Sequence, residues 1–265
     1  MNKNKTLKNN QKGQSPIVVF VIIVLIVVAG FTVWRLLSEN SSKNNQTTNN
    51  SSKSNKKNSE KQETPKEKQK FSQKTIDYFN EVALGSEYGD TGPRVAKWEV
   101  ASVALKVNGT PSASDAICLD KVIADFNAIS TETKLYITKG SSNANIYFAP
   151  EAEFKNIISN YVPTNMGYFS VNWTGSRSIT SASILISTTG INEVEKCHLI
   201  REETTQSMGI MKDSHSYSDS IFYDDWTYVN AYSEIDKDVI KLLYGGNGLK
   251  PNDDKDTVAS KVIAI

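Results

Sequence analysis

Cysteine is scarce in this chain, with two among 265 residues, and that excludes a disulfide-dense scaffold and a four-cysteine zinc site. A basic surplus is missing where a polyanion would need one. The first 72 residues carry +9 and the whole chain +1, which leaves −8 for residues 73–265. A domain of that sign excludes nucleic acid as its partner, because phosphate binding requires a basic face. No aliphatic or aromatic residue lies between Leu37 and Phe71, and no charge lies between Pro16 and Trp34.

That uncharged run is 19 residues long. At about 1.5 Å per residue it reaches about 28 Å, close to the hydrocarbon thickness of a bilayer. Lys3, Lys5, Lys8 and Lys12 precede it, so the positive-inside rule keeps the N-terminus cytoplasmic. A cleaved signal peptide is the alternative, but the run is long for one and no small-x-small site follows. The expected order is therefore a cytoplasmic tail at 1–15, a single-pass anchor at 16–37, a linker at 38–72 and an extracytoplasmic domain at 73–265. The anchor holds no ionisable residue inside the membrane and thus no transport role. Of the 35 linker residues, 23 are Asn, Ser or Lys. Such a segment buries too little apolar surface to offset its ordering entropy and is expected to be disordered, with a reach of roughly 30 Å. Its lysines, at 53–70, suit a solvated spacer attracted to anionic surface polymers better than a lipid patch.

Within the domain, Ile76, Phe79, Val82 and Ala83 predict a short amphipathic helix ended by Gly85. A strand is expected over 97–107, then a helix capped by Ser112 or Ser114 with Cys118, Val122 and Phe126 on one face. Short strands follow at 134–138, 144–148, 167–172 and 180–187, with a brief helix at 151–161 between them. A long helix is expected at 192–208, stopped by Gly209, and a last one from the Ser233/Asp236 capping box to Leu243. The order predicts an α+β domain with one sheet backed by helices. Cys118 and Cys197 sit on apolar stripes of two helices expected to back that sheet, which fits a disulfide and two buried thiols equally.

The segment with chemical content is CHLIREETTQSMG, Cys197 to Gly209. On a helix, Val194, Cys197, Ile200, Thr204 and Met208 share one stripe, while His198, Glu202 and Gln206 line up a turn apart on another, beside Glu203. Two polar side chains four apart, with a carboxylate between, is the layout in which HExxH peptidases bind zinc and place a general base.

Here EETTQSMG (202–209) resembles HExxHxxG with both histidines replaced. SIFYDD (220–225) and SEIDKDVIKLLYGG (233–246) resemble the metzincin segment in which a Ser-Ile-Met turn underlies the metal and a later helix ends in Leu-Tyr-Gly. YFNEVALGSEYG (78–89), the stretch Arg94 to Trp98 and NANIYFAP (143–150) resemble a bacterial family known only as domain of unknown function 2927. The resemblance covers roughly 73–248 and implies a zincin-like, metzincin-like fold with the 192–208 helix crossing beneath the sheet.

The departures limit what transfers. Glu202 stands at the first ligand position, Gln206 at the second, Lys212 at the third, and Phe222 where the turn has Met. Zinc prefers imidazole and thiolate, an amide oxygen is a poor donor, and an ammonium repels a dication. Asp213 and His215 are nearby substitutes only after a register change. Zinc in standard coordination is therefore not expected. The sequence supports a membrane-anchored, envelope-associated binding module whose groove takes a peptide or cell-surface polymer. The alternative is a metallopeptidase-like hydrolase with Glu202, Gln206, Asp213 or His215 as ligands, Glu203 as general base and Tyr223 as an oxyanion donor. A structural reading stands beside both: Glu202 and Gln206 bonded to each other, Glu203 solvated or paired with a cation, His198 a core-edge histidine and Tyr223 a packed phenol.

Overall fold

The computed structural model describes residues 68–87 and 92–265. The tail, the anchor at 16–37 and the linker up to 67 lie outside the described residues. Among the described residues no helix is long and apolar enough to cross a membrane. The last part of the expected linker belongs to the domain: β1 (Lys70–Phe71) buries Phe71, and Ser72 caps the first helix by accepting the Thr75 amide.

That helix, α1 (Gln73–Val82), buries Ile76, Tyr78, Phe79 and Val82. Then come β2 (Ser102–Gly109), α2 (Ala113–Ile129), β3 (Lys134–Thr138) and β4 (Ala144–Ala149). A 3₁₀ turn at Glu151–Glu153 leads into α3 (Phe154–Ile157), followed by β5 (Gly167–Trp173) and β6 (Ile179–Ser187). The chain closes with α4 (Glu193–Gln206), α5 (Glu234–Tyr244), α6 (Lys255–Lys261) and β7 (Ile263–Ala264). The three longest helices each start at a capping box, Ser112 with Asp115, Asn192 with Glu195 and Ser233 with Asp236, so orphan amide donors are satisfied at each start.

One five-stranded sheet runs in the order β3-β2-β4-β6-β5. The first four strands are parallel, and β5 closes one edge antiparallel to β6, with Phe169 opposite Ile184. The result is an α+β domain with a mixed sheet backed by helices. The parallel strands read as apolar runs, as in Ile184, Leu185 and Ile186, because both faces are covered. The main core joins Phe79, Trp98, Leu105, Phe126, Ile146, Ile200 and Tyr244, and a smaller core of Phe154, Tyr161, Tyr168 and Leu185 lies beneath the β4–β5 connection. Burial of each such side chain is worth roughly 1.5–3 kcal/mol. Helix α4 packs on α2, β5 and β6. A disulfide joins Cys118 of α2 to Cys197 of α4, with the Cα atoms 5.7 Å apart.

The expected 97–107 strand begins later, at Ser102, because Lys97 and Trp98 are committed to other contacts. Lys97 is buried, and its Nζ donates to Glu132 Oε2 at 2.6 Å and to the Leu243 carbonyl at 2.8 Å.

Candidate functional site

Helix α4 does not present the polar stripe expected from its periodicity: every residue from His198 to Gln206 is buried. The segment 229–232 lies along it and bonds three of its polar side chains. His198 Nδ1 donates to the Val229 carbonyl at 2.5 Å, Arg201 Nε to the Asn230 carbonyl at 2.8 Å, and the Thr205 and Tyr232 hydroxyls are 2.7 Å apart. Arg201 Nη2 also bonds Asp125 of α2 at 2.8 Å.

The end of the helix is fixed by groups distant in sequence. Gly209 turns the chain at φ 110°, where a Cβ would lie 2.1 Å from the Ala96 carbonyl oxygen. The Trp98 indole donates to the Ser207 carbonyl at 3.1 Å, and the Tyr244 hydroxyl donates to the Met208 carbonyl at 2.6 Å. Beyond the turn, Asp236 accepts from the Ser220 hydroxyl at 2.5 Å and the Ile221 amide at 3.2 Å, tying the Ser220–Phe222 turn to α5. Phe222 itself is fully buried.

Between α4 and β5 lies a cleft of about 610 Å³. Glu202, Glu203, Gln206 and Asp213 line it, together with Glu87, Asp224, Trp173 and Trp226. Among the described residues its wall includes no Lys, Arg or His. Gly167, the first residue of β5, rests on the helix so closely that a Cβ there would sit 2.4 Å from Glu203 Oε1.

The candidate ligands are engaged with protein partners. Glu202 Oε2 lies 3.2 Å from His198 Nε2, and Gln206 Nε2 donates to Asp213 Oδ1 at 2.6 Å; the Glu202–Gln206 bond expected on a helix surface is absent from the described hydrogen bonds. His215 is outside the cleft wall and exposed, 3.3 Å from Asp224 Oδ2. Tyr223 is also outside the wall, its ring edge-on to His215 with centroids 6.1 Å apart. Glu203 is largely withdrawn from bulk solvent and, among the described residues, is paired with no cation. It is 7% exposed, and among the described residues no hydrogen-bond donor or cation reaches its carboxyl.

These surroundings set the protonation. Burial pushes Glu203 well above the usual carboxylate range, and the charges of Glu202, Asp213 and Glu87 push in the same direction. Burial, then Glu202, Glu87 and Asp224, raise Asp213 to about 8, with the Gln206 bond a partial offset. Burial opposes charge on His198, but the Glu202 hydrogen bond and charge and the Val229 carbonyl outweigh it, and its pKa is raised.

The donor set does not fit a catalytic zinc. Among the described residues no group of three or more His, Cys, Asp and Glu side chains converges closely enough to hold a metal ion. Sequence reading missed Glu87, Gly167, Trp173 and Trp226 as parts of the site, since each lies outside the 197–209 segment and lacks a local signal; Asp224 stood out only as part of an acidic loop with Asp213, Asp219 and Asp225.

A helix carrying Glu-Glu-x-x-Gln beside an antiparallel edge strand defines an acidic cleft in an α+β domain. The family described as "Protein of unknown function (DUF2927)" matches residues 72–252, and the chain belongs to that family. Two solved structures of myroilysin are similar to it. One has 8% identity and a TM-score of 0.38, covering 56% of this chain and 95% of that one. The other has 9% identity and a TM-score of 0.39, covering 63% and 92%. No curated protein matches the chain in sequence.

Proposed function

We propose that this is a zincin-like domain, tethered outside the cell membrane by residues 16–37, whose cleft binds an extended peptide or surface polymer without a standard catalytic zinc. The observation that carries the reading is the engagement of the ligand positions within the protein. Glu202 faces His198, Gln206 faces Asp213, and His215 is turned to surface aspartates. The open side of the terminal strand β5 supports an extended ligand, since an edge strand offers unpaired backbone donors and acceptors. The zincin-like part rests on the sequence resemblance together with the helix, the Gly209 turn and the Asp236-tied turn in the order that resemblance implies. The anchor and the extracytoplasmic placement rest on the apolar run and its flanking lysines.

Elemental analysis of the full chain, purified in detergent micelles, tests the reading. Substoichiometric zinc, unchanged by Glu202→Ala, is expected. Stoichiometric zinc that disappears with Glu202→Ala would refute it.

The hydrolase alternative draws on one observation, the lone buried carboxyl of Glu203 in the cleft. A raised pKa suits a base as well as a buried acceptor, but among the described residues no set of ligands converges beside Glu203 to hold a metal that would activate water. That weighs toward binding.

A further inference from the structure

The wall of the cleft brings five carboxyl side chains together, those of Glu87, Glu202, Glu203, Asp213 and Asp224; among the described residues it includes no Lys, Arg or His, although His198 lies 3.2 Å from Glu202 and His215 3.3 Å from Asp224. Glu202 has His198 behind it and Asp213 has Gln206, but among the described residues no protein donor reaches the Glu203 carboxyl. It is 7% exposed, lines the cleft, and lies against Gly167 at the start of β5. A buried carboxyl without a protein donor is costly, and natural sites rarely keep one unless water or a ligand in the cleft supplies the missing partner.

We propose that the cleft selects a cationic side chain, the guanidinium or ammonium of an extended peptide paired along β5, with Glu203 and Asp213 as its acceptors. This rests on the binding reading above. Charge sets the sign of the ligand: burial and like charges favour the protonated forms of Glu203 and Asp213 in the empty cleft, and a cation brought alongside them favours the ionised, accepting forms, which an anionic or neutral group would not. Geometry sets its form. The carboxylates are spread too widely to close on a point ion, whereas a guanidinium offers five donors on a planar fork and can serve acceptors on both sides. The strand sets the backbone. β5 offers seven residues, and a peptide added to its outer edge would turn alternate side chains toward α4. Trp173 and Trp226 line the same cleft and provide aromatic surface on which a cation can rest.

The test uses the full chain in detergent micelles and fluorescently labelled seven-residue peptides of alternating Thr and Val. They differ only at the central residue, which is Arg, Lys, Gln or Glu. Anisotropy titrations are expected to give Arg and Lys peptides at least about tenfold tighter binding than the Gln peptide, a ratio typical of one added charge-assisted hydrogen bond, and the weakest binding for Glu. The Arg-to-Gln ratio should fall to about one in Glu203→Gln, and fall in Asp213→Asn, whose position outside the helix gives a second reading if the first variant misfolds. Equal binding of all four peptides would overturn the cation inference and leave the binding reading in place. Binding of none would overturn both. A preference that survives both substitutions, or peptide displaced by one equivalent of zinc, would also overturn it.

Discussion

Removing the Cys118–Cys197 bridge is a perturbation whose size follows from the structure. The two cysteines are 79 residues apart, so the bridge closes a loop spanning the sheet from α2 to α4. By the chain-entropy relation a loop of about 80 residues removes about 4.5 kcal/mol of unfolded-state freedom at 25 °C. In a folded unit of this size each kcal/mol moves the midpoint by about 2–4 °C, so the loss should be about 9–18 °C. Cys118→Ala/Cys197→Ala in the full chain, followed by circular dichroism during heating and during urea titration, measures both. The urea slope should be steeper in the variant, because an unbridged chain exposes more surface on unfolding. Each single Cys→Ala variant should match the double, since either one breaks the bond. A double variant within about 1 kcal/mol of wild type, with an unchanged slope, would refute the reasoning, because loop closure of this length cannot be that weak.

Gly209→Ala should destabilise the domain by at least about 2 kcal/mol, since φ is 110° and the new Cβ would meet the Ala96 carbonyl oxygen at 2.1 Å; a urea midpoint within error of wild type would contradict this. His198 has a folded-state pKa raised above 6.5, so its contribution to stability is complete below that value and is lost as the pH rises through the higher one. The thermal midpoint gap between wild type and His198→Gln should therefore be wider at about pH 5.5 than at about pH 8.5, and a gap that widens with pH would reverse the sign. Gly167→Ala should displace the Glu203 carboxyl, which a Cβ would approach to 2.4 Å, and weaken the Arg-peptide preference by about tenfold or more with a smaller effect on unfolding. Retention of the full preference would show that the Glu203 position does not set it.

Much of the fold was legible because local rules decided it. Strands β3, β4, β5 and β6 begin within a residue of where β-branched and aromatic clusters placed them, and α4 begins after the cap at Asn192. The misses share a physical reason, which is long range. Strands β1 and β7 are two residues each and pair across nearly the whole domain, so nothing nearby marks them. Helix α6 carries only Val258 as a buried residue, too little for a periodic signal. At the site, helical spacing brings Glu202, Glu203 and Gln206 to one cleft, and a nearby turn adds Asp213, which the sequence offered only after a register change. Sequence reading misjudged their surroundings. Periodicity assumes that polar residues face water, and here the 229–232 segment covers His198, Arg201 and Thr205 while the start of β5 at Gly167 closes on Glu203. Glu203, expected in solvent or beside a cation, is therefore the residue whose character changed most.

The pairing of β1 with β7 has a mechanical consequence. The Ile263 amide donates to the Gln69 carbonyl and the Ile265 amide to the Phe71 carbonyl, both at 3.0 Å, so the first turn of the domain is fastened to its last. Tension drawn along the chain at residue 70 would run lengthwise down this seam and load both rungs together instead of unzipping them singly. The closing residues thus act as a clasp against traction, holding Phe71 in its socket while the chain before it is pulled.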